Sequence, residues 1–204
     1  MILKIWSKLN DVRKRVLDIR SYYLYELELE YLEDRECKID IDSYRMFLIS
    51  DVDSLIVYCE KGYEFPNLER AKKILSAGGV GCFAFSGNVY CHSTWLCFNA
   101  KSKSYVDDLG FNVKFEKGEF CWGLAHTDPA FRGRGVYLDS CMTFFKYARM
   151  KGYTISRFTI GQDNLSSRAT LEKLPCNIVG EIVNVRLGGA NYGNVRPLRE
   201  LPSV

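Results

Sequence analysis

Apolar positions near the start of the chain follow two different periods. Between residues 2 and 19 they recur at helical spacing, with lysines and arginines on the opposite side. From residue 21 to 32, Tyr and Leu alternate with Glu, which predicts a half-exposed strand that buries its apolar side and joins the sheet or its flank. An amphipathic helix with one basic face either packs on its own domain as a lid, which we favour, or lies on an anionic membrane.

Further along, helical and strand patterns alternate. The sequence predicts a strand at 44–50, helices at 51–62 and 67–79, strands at 79–85 and 89–99, a loop or extended excursion at 100–117, a strand at 119–127, a helix at 134–151, a strand at 153–160, a helix from about Asn164, and a closing strand at 177–187. Asp51 or Asp53 is the expected cap of the first of these helices and Asn67 that of the second. This order predicts an α/β (α+β) fold with a mixed, mostly antiparallel central sheet flanked by helices.

Composition narrows the classes of function. The 204 residues are enough for one domain, and the net charge of +3, from 28 basic and 25 acidic residues, is no electrostatic footprint for nucleic acid. Eight cysteines form no C-x-x-C pair and two histidines make a His-based metal site unexpected, so we expect buried thiols in a reducing cytosol. No apolar run reaches 18 residues, so we expect a cytoplasmic protein with no membrane span and no metal.

The stretch HTDPAFRGRGVYLDS, residues 126 to 140, places two arginines and two glycines just before a predicted helix. A helix N-terminus offers unpaired N–H groups and a partial positive charge, and glycines ahead of it let an anion approach the backbone. The pattern therefore outlines a phosphate site. A plain turn with two surface arginines would give a similar pattern, so the surrounding elements must decide.

Those elements carry a resemblance. DPAFRGRGV follows one apolar strand and DNLSSRATLEKL follows the next, and in this order they resemble the GNAT superfamily of acyl-CoA-dependent N-acyltransferases. The resemblance covers about residues 43 to 186. It implies a GNAT-like acyltransferase domain at 43–204, preceded by a helix and strand extension at 1–42, and it implies acetyl-CoA or another acyl-CoA as co-substrate.

The resemblance also implies cofactor contacts. The loop would bind the pyrophosphate of coenzyme A through backbone N–H groups, and the segment from Asn164 would line the pantetheine arm. The strand before the loop would present a donor to the acyl carbonyl. The cofactor-binding residues expected on this basis are Leu124, Ala125, His126, Thr127, Arg132, Gly133, Arg134, Gly135, Val136, Tyr137, Asn164, Ser167 and Lys173.

Two positions depart from the family pattern. Tyr137 stands where the loop usually ends in Gly or Ala, and Leu171 stands where the family has the tyrosine proposed to protonate the leaving thiolate. Another donor or solvent would then take that role. These departures also support a second hypothesis, a non-catalytic CoA-binding regulatory module.

The residues that would act on an acceptor amine follow from position and chemistry. Glu119 is either a solvated turn carboxylate after EKG or the general base, since it matches the offset of the catalytic glutamate in the histone acetyltransferase branch. His126 is either a hydrogen-bonded strand residue or the alternative general base, because imidazole changes its charge near neutral pH. Tyr90 and His92 face either the acceptor cleft or the core, and Trp122 either excludes water from the site or fills the core.

The favoured function is transfer of an acetyl or other acyl group from acyl-CoA to a primary amine, by direct attack in a ternary complex. The acceptor is a small molecule or a protein. A third hypothesis takes the acyl group from an acyl-carrier protein, with the basic N-terminal helix as the docking face. A homodimer is a further expectation.

Overall fold

Eight strands form one sheet in this computed structural model, which describes residues 17–32, 44–187 and 190–197. The strands are β1 (Leu17–Glu28), β2 (Arg45–Ile49), β3 (Gly79–Ser86), β4 (Val89–Cys97), β5 (Glu119–Thr127), β6 (Ile155–Gly161), β7 (Asn177–Leu187) and β8 (Ala190–Pro197). Their order is β2-β3-β4-β5-β6-β1-β7-β8. Neighbours run antiparallel except β5 and β6, which are parallel. The predicted fold class is confirmed.

Five helices flank the sheet in the described part of the chain. They are α1 (Val52–Glu60), α2 (Leu68–Ser76), α3 (Ala100–Val106), α4 (Val136–Met150) and α5 (Leu165–Leu171), with 3-10 turns at Leu29–Tyr31, Phe115–Lys117 and Pro129–Phe131. Asp51 caps α1 by accepting a hydrogen bond from the Ser54 N–H, and Asn67 caps α2 by accepting one from the Arg70 N–H. Of the two carboxylates expected to cap α1, Asp51 is the one that does so, and the predicted Asn67 cap of α2 is confirmed.

β1 lies inside the sheet, between β6 and β7, and pairs antiparallel with both. Its position confirms the expectation that this strand joins the sheet. The helix predicted over 2–19 falls mostly outside the described residues, but its last three positions belong to β1. Tyr25 and Leu27 are buried as predicted, since their alternation places them on the face that packs against α4.

The sequence did not predict two of the observed elements, α3 and β8. α3 lies within the stretch expected to be a loop or an extended excursion. It is short, and only Ser102 and Val106 on it are buried, so its apolar periodicity is weak. β8 continues the chain beyond the expected closing strand and pairs with β7. The Gly-Gly at 188 and 189 is a hairpin signal that could have predicted this strand.

Each face of the sheet carries its own apolar core. On one face α4 and α5 cover Trp122 and Phe158, and on the other α1, α2 and α3 cover Phe83 and Cys121. Full burial of such a side chain contributes about 1.5–3 kcal/mol. The sheet is therefore held rigid from both sides at its centre, where the parallel pair of strands begins.

Candidate functional site

β5 and β6 separate shortly after they meet. Three residue pairs join them, ending at Cys121 opposite Arg157. On its other side β5 pairs with β4 through a bulge, because Ser93 opposes His126 while Trp95 opposes Gly123. The extra length of β5 falls at Leu124 and Ala125, for which the register gives no partner on either neighbouring strand.

Leu124 adopts a left-handed backbone conformation with φ of +52°. Such a conformation is uncommon for a residue with a branched side chain, and it occurs often at functional sites because the surroundings must hold it. It turns the Leu124 side chain towards the core formed with α1, α2 and α3, whereas Ala125 lines a cavity on the opposite side. The bulge therefore brings the backbone of β5 to the cavity wall.

The glycine loop lies beside this bulge. Gly133 and Gly135 have φ of +74° and +82°, so a non-glycine residue at either position would be strained. Gly135 is the N-cap of α4 and the helix has no side-chain cap. A Cβ at Gly133 would meet nothing within 4 Å. This 15-residue helix thus begins at a residue without a capping side chain, and the space beside Gly133 is open.

A cavity of about 450 Å³ lies between this helix end, the end of β5 and α5. Of the residues expected to bind the cofactor, it brings together eleven: Ala125, His126, Thr127, Arg132, Gly133, Gly135, Val136, Tyr137, Asn164, Ser167 and Lys173. Leu124 and Arg134 do not line it. Arg134 instead lies over the Phe131 ring, with its guanidinium carbon 5.3 Å from the ring centroid.

The charges in the cavity are positive. Arg132 and Lys173 line it, and among the described lining residues there is no carboxylate. Arg132 is held in place because its Nε donates to the Thr127 carbonyl at 3.2 Å. Asp139 lies in the first turn of α4 but is engaged by the hydroxyl of Tyr44. Together with the helix dipole, the two cations favour an anionic ligand.

Four lining residues were missed by the sequence analysis: Phe131, Leu138, Ser166 and Thr170. Ser166, Thr170 and Lys173 recur at i, i+4 and i+7, so they share one side of the segment that starts at Asn164. That spacing was available in the sequence. Asn164 caps α5, since its Oδ1 accepts from the Ser167 N–H at 3.2 Å.

His126 stands at the exposed edge of the cavity. Its ring stacks on Tyr90, with centroids 6.1 Å apart, and its Nδ1 lies 3.3 Å from the Tyr90 hydroxyl. Tyr90 also donates to the His126 carbonyl at 3.1 Å and lies 2.8 Å from the Ser93 hydroxyl. Burial raises the pKa of Tyr90 to about 12, so Tyr90 stays protonated and orients the imidazole.

His92 lines the same cavity but is fully buried. Its Nδ1 lies 2.8 Å from the Thr127 hydroxyl and its Nε2 lies 3.3 Å from the Thr94 hydroxyl. Burial, aided by the nearby His126, lowers the pKa of His92 to about 3. A neutral ring with both nitrogens engaged positions Thr127 and is a poor proton acceptor.

Tyr137 reaches from the first turn of α4 into the cavity. Its ring centroid lies 5.6 Å from that of His92 and 6.3 Å from that of Trp122. Burial raises the pKa of Tyr137 well above its usual value, while a hydrogen bond to the Ser167 side chain lowers it. Leu171 is fully buried. The phenol nearest to the cavity interior therefore comes from α4.

The structure does not bring Glu119 to the cavity. Glu119 begins β5, whereas the cavity lies at the other end of the strand, and its carboxylate accepts from Arg157 Nε at 2.8 Å and from the Lys114 N–H at 2.7 Å. Burial raises the pKa of Glu119, but these two contacts outweigh it and hold the pKa below its usual value. This position does not fit a general base.

Trp122 also lies away from the cavity lining. Its indole N–H donates to the Ser156 hydroxyl at 3.0 Å, and its ring packs on Phe158 with centroids 4.5 Å apart. The side chain is almost completely buried. Of the two roles considered from the sequence, filling the core fits this position.

Comparisons with known proteins agree on the fold. No sequence profile of a known family matches the chain, and neither does any curated protein. A GCN5-related glucosamine N-acetyltransferase region of a fungal β-N-acetylglucosaminidase superposes with a TM-score of 0.57 at 12% identity, over 87% of this chain and 22% of that one. A GNAT-like protein of Streptococcus suis gives 0.52 at 16% identity, over 89% and 67%.

A third structure, a GCN5-related N-acetyltransferase of Kribbella flavida, has a TM-score of 0.51 at 13% identity, over 88% of this chain and 63% of that one. The chain has the GNAT fold. It spans between 22% and 67% of the length of these three structures. At such low identity the similarity establishes the architecture alone.

Two further findings concern the described residues of this GNAT fold. No helix in them is both long and apolar enough to span a membrane. Nor do they contain a group of three or more His, Cys, Asp and Glu side chains arranged to hold a metal ion. The basic N-terminal segment considered as a docking face lies outside the described residues, apart from its last residues in β1.

Proposed function

We propose that the protein is an N-acyltransferase that moves an acetyl or other acyl group from acyl-CoA to a primary amine. One observation carries the proposal: the cavity joins an uncapped, glycine-lined helix N-terminus and two cations to the bulged end of β5. The first part suits a pyrophosphate and the second suits an acyl carbonyl.

Different residues of the cavity would bind different parts of acyl-CoA. The N–H groups that follow Gly135, with Arg132, would hold the pyrophosphate, because helix dipole and cation act together there. The polar side of α5, with Ser166 and Thr170, would lie along the pantetheine arm and exchange hydrogen bonds with its amides. Lys173 supplies a second positive charge at the same wall.

The chemical step needs a fixed donor and a base. As the amine nitrogen bonds to the acyl carbon, the carbonyl oxygen gains negative charge, and the Ala125 N–H at the bulge is the donor we propose for it. The C–S bond then breaks and the thiolate of CoA leaves. We propose that His126 takes the proton from the attacking amine, because it lies at the cavity edge and Tyr90 orients its ring.

Gly135→Val tests the cofactor site. The change adds a side chain at the predicted phosphate contact, and we expect acetyl-CoA binding to weaken at least tenfold, which is about 1.4 kcal/mol. Isothermal titration calorimetry on the purified full chain measures it. Gly152→Val is the matched control, since Gly152 follows the other end of α4, has φ of +87° and also has open space around it.

Both variants should lose stability from backbone strain, but only Gly135→Val should lose affinity. Equal acetyl-CoA affinities in wild type, Gly135→Val and Gly152→Val would contradict the placement of the pyrophosphate. Absence of any acetyl-CoA binding by the wild type would contradict the proposed function itself.

A second candidate function is a CoA-binding module without turnover. The observation that favours it is that the bulky Tyr137 side chain lines the cavity, with its ring 5.6 Å from that of His92. Acetyl-CoA binding without release of free CoA across a panel of primary amines, and without deacylation of an acyl-carrier protein offered as the donor, would favour this module. Release of CoA that requires an amine would favour the enzyme.

A further inference from the structure

The sheet contains a second opening, next to the first. β6 ends at Gly161, opposite Tyr22, but β1 continues back to Leu17 and its residues 17–21 pair with β7 alone. Among the described residues, no strand other than β7 pairs with β1 at these positions, so no described strand covers the edge that would face β6. The turn after β6 is tied to this edge, because the Gln162 N–H donates to the Ser21 carbonyl at 2.9 Å.

A cavity of about 790 Å³ fills this notch. Its walls are the first residues of β1 and the turn between β6 and α5, and its polar side chains are Asp18, Arg20, Ser21, Gln162 and Asp163. Tyr22 adds an aromatic side chain. We call this space the notch cavity.

The notch cavity adjoins the cavity assigned to acyl-CoA. Asn164 lines both. The bulged end of β5 and the notch flank the same end of β6, because β5 and β1 are the two neighbours of β6 in the sheet. A molecule in the notch would thus lie across β6 from the bulged end of β5.

The charges of the notch cavity favour a cation. Asp18 pairs with Arg20, whose Nε lies 2.9 Å from the Asp18 carboxylate, so these two charges offset each other. Asp163 is the remaining charged residue of the lining, so the cavity has an excess of one negative charge. Asp163 lines the notch cavity alone, and the next residue, Asn164, lines both cavities.

We infer that the notch cavity is the acceptor site and that it takes an alkyl amine in its ammonium form. This inference rests on the proposed N-acyltransferase function. Asp163 attracts the ammonium group, Tyr22 packs on the alkyl chain, and the amine that has lost its proton meets the acyl group near Asn164. The strand that builds this site, β1, belongs to the segment that lies outside the GNAT resemblance in the sequence.

The test uses spermidine as the probe, titrated by calorimetry into the full chain saturated with CoA. We expect the wild type to bind it and Asp163→Asn to weaken it about fivefold, because one unit charge at about 4 Å in water contributes about 1 kcal/mol. Glu60→Gln, which removes an exposed charge at the end of α1, is the matched control and should change nothing. Asp163→Glu should restore most of the binding.

Several outcomes would overturn the inference. These are equal spermidine affinity in wild type and Asp163→Asn, equal loss in Glu60→Gln, or no spermidine binding by a wild type that binds CoA. If Asp163→Asn does not fold, Asp163→Glu is titrated with spermidine at low and high NaCl, and an affinity independent of salt would count against the site. Failure to bind CoA would instead remove the proposed function, so the two failures are distinct.

Discussion

The two ends of β5 differ in burial and in their pairing with the neighbouring strands. At its start, from Glu119 to Trp122, the strand is buried, and it pairs with β6 through Cys121 and with β4 from Cys121 onwards. At its end, from Leu124 to Thr127, the strand is bulged, has left β6 and is partly exposed. The first end stabilises the sheet, and the second forms a cavity wall.

The difference lies in where the polar groups find partners. The Glu119 carboxylate is engaged by Arg157, which also contacts Glu26 at 2.6 Å, so one ion-pair network links β5, β6 and β1. At the other end, the bulge leaves Leu124 and Ala125 without a partner residue on either neighbouring strand. Groups that are already engaged hold the fold, and groups left over are available to a ligand.

The largest effect expected at the open end of β5 comes from His126→Gln. If His126 is the general base, kcat should fall about 10²–10⁴-fold, while the free energy of unfolding should hardly change because the side chain is exposed. Steady-state kinetics with acetyl-CoA and a turned-over amine, across pH 6 to 9, measures it. A kcat close to that of the wild type at every pH would show that solvent takes the proton.

Glu119→Gln tests the buried start of β5, and it should lower the stability of the protein rather than kcat. It removes the charge that faces Arg157 in a buried pair, and we expect a loss of about 3 kcal/mol in the free energy of unfolding. Urea denaturation measures this loss. The folded variant should keep kcat within about twofold of the wild type, and a drop like that of His126→Gln would restore Glu119 as the base.

The folding stability should depend on pH through His92. This residue is hydrogen-bonded to Thr127 at the bulged end of β5, yet it is fully buried. The folded-state pKa is about 3, below the ordinary value of about 6.5, so between these values the unfolded chain binds a proton that the folded chain does not. Stability therefore falls as pH decreases through this window, by about 2 kcal/mol between pH 6.5 and 4.5 from this group.

His92→Gln has no group that titrates there, so its stability should fall less steeply than that of the wild type over the same range. Urea denaturation at several pH values gives both slopes. Equal slopes would mean that His92 is protonated in the folded protein, which its contacts with Thr127 and Thr94 do not favour.

The smallest effect concerns Asn164, on the far wall of the cavity. Asn164→Ala should cost about 1 kcal/mol of stability through the lost cap of α5, and it should also weaken acetyl-CoA binding. Asn99→Ala is the matched control, because Asn99 caps α3 in the same way but does not line the cavity. If both variants bind acetyl-CoA as the wild type does, Asn164 is a structural cap only.

The sequence predicted residues that line the cavity better than it predicted residues that would act on the acceptor amine. The glycine loop and Asn164 were predicted from local patterns, because glycine conformation and helix capping depend on a few neighbouring residues. Glu119 was proposed from its offset to the loop, and an offset does not reveal which end of a strand faces a ligand. The partner that engages Glu119, Arg157, lies 38 residues away in the chain.

The amino-acid sequence by itself determined the class of fold, most of its helices and strands, and the loop that precedes α4, since hydrophobic period, caps and glycines act within a few residues. Only the tertiary structure decided that β1 enters the middle of the sheet, that β5 bulges at Leu124, and that the Tyr137 ring lies beside His92. Strand order and register depend on contacts between residues far apart in the chain, and no local pattern specifies them.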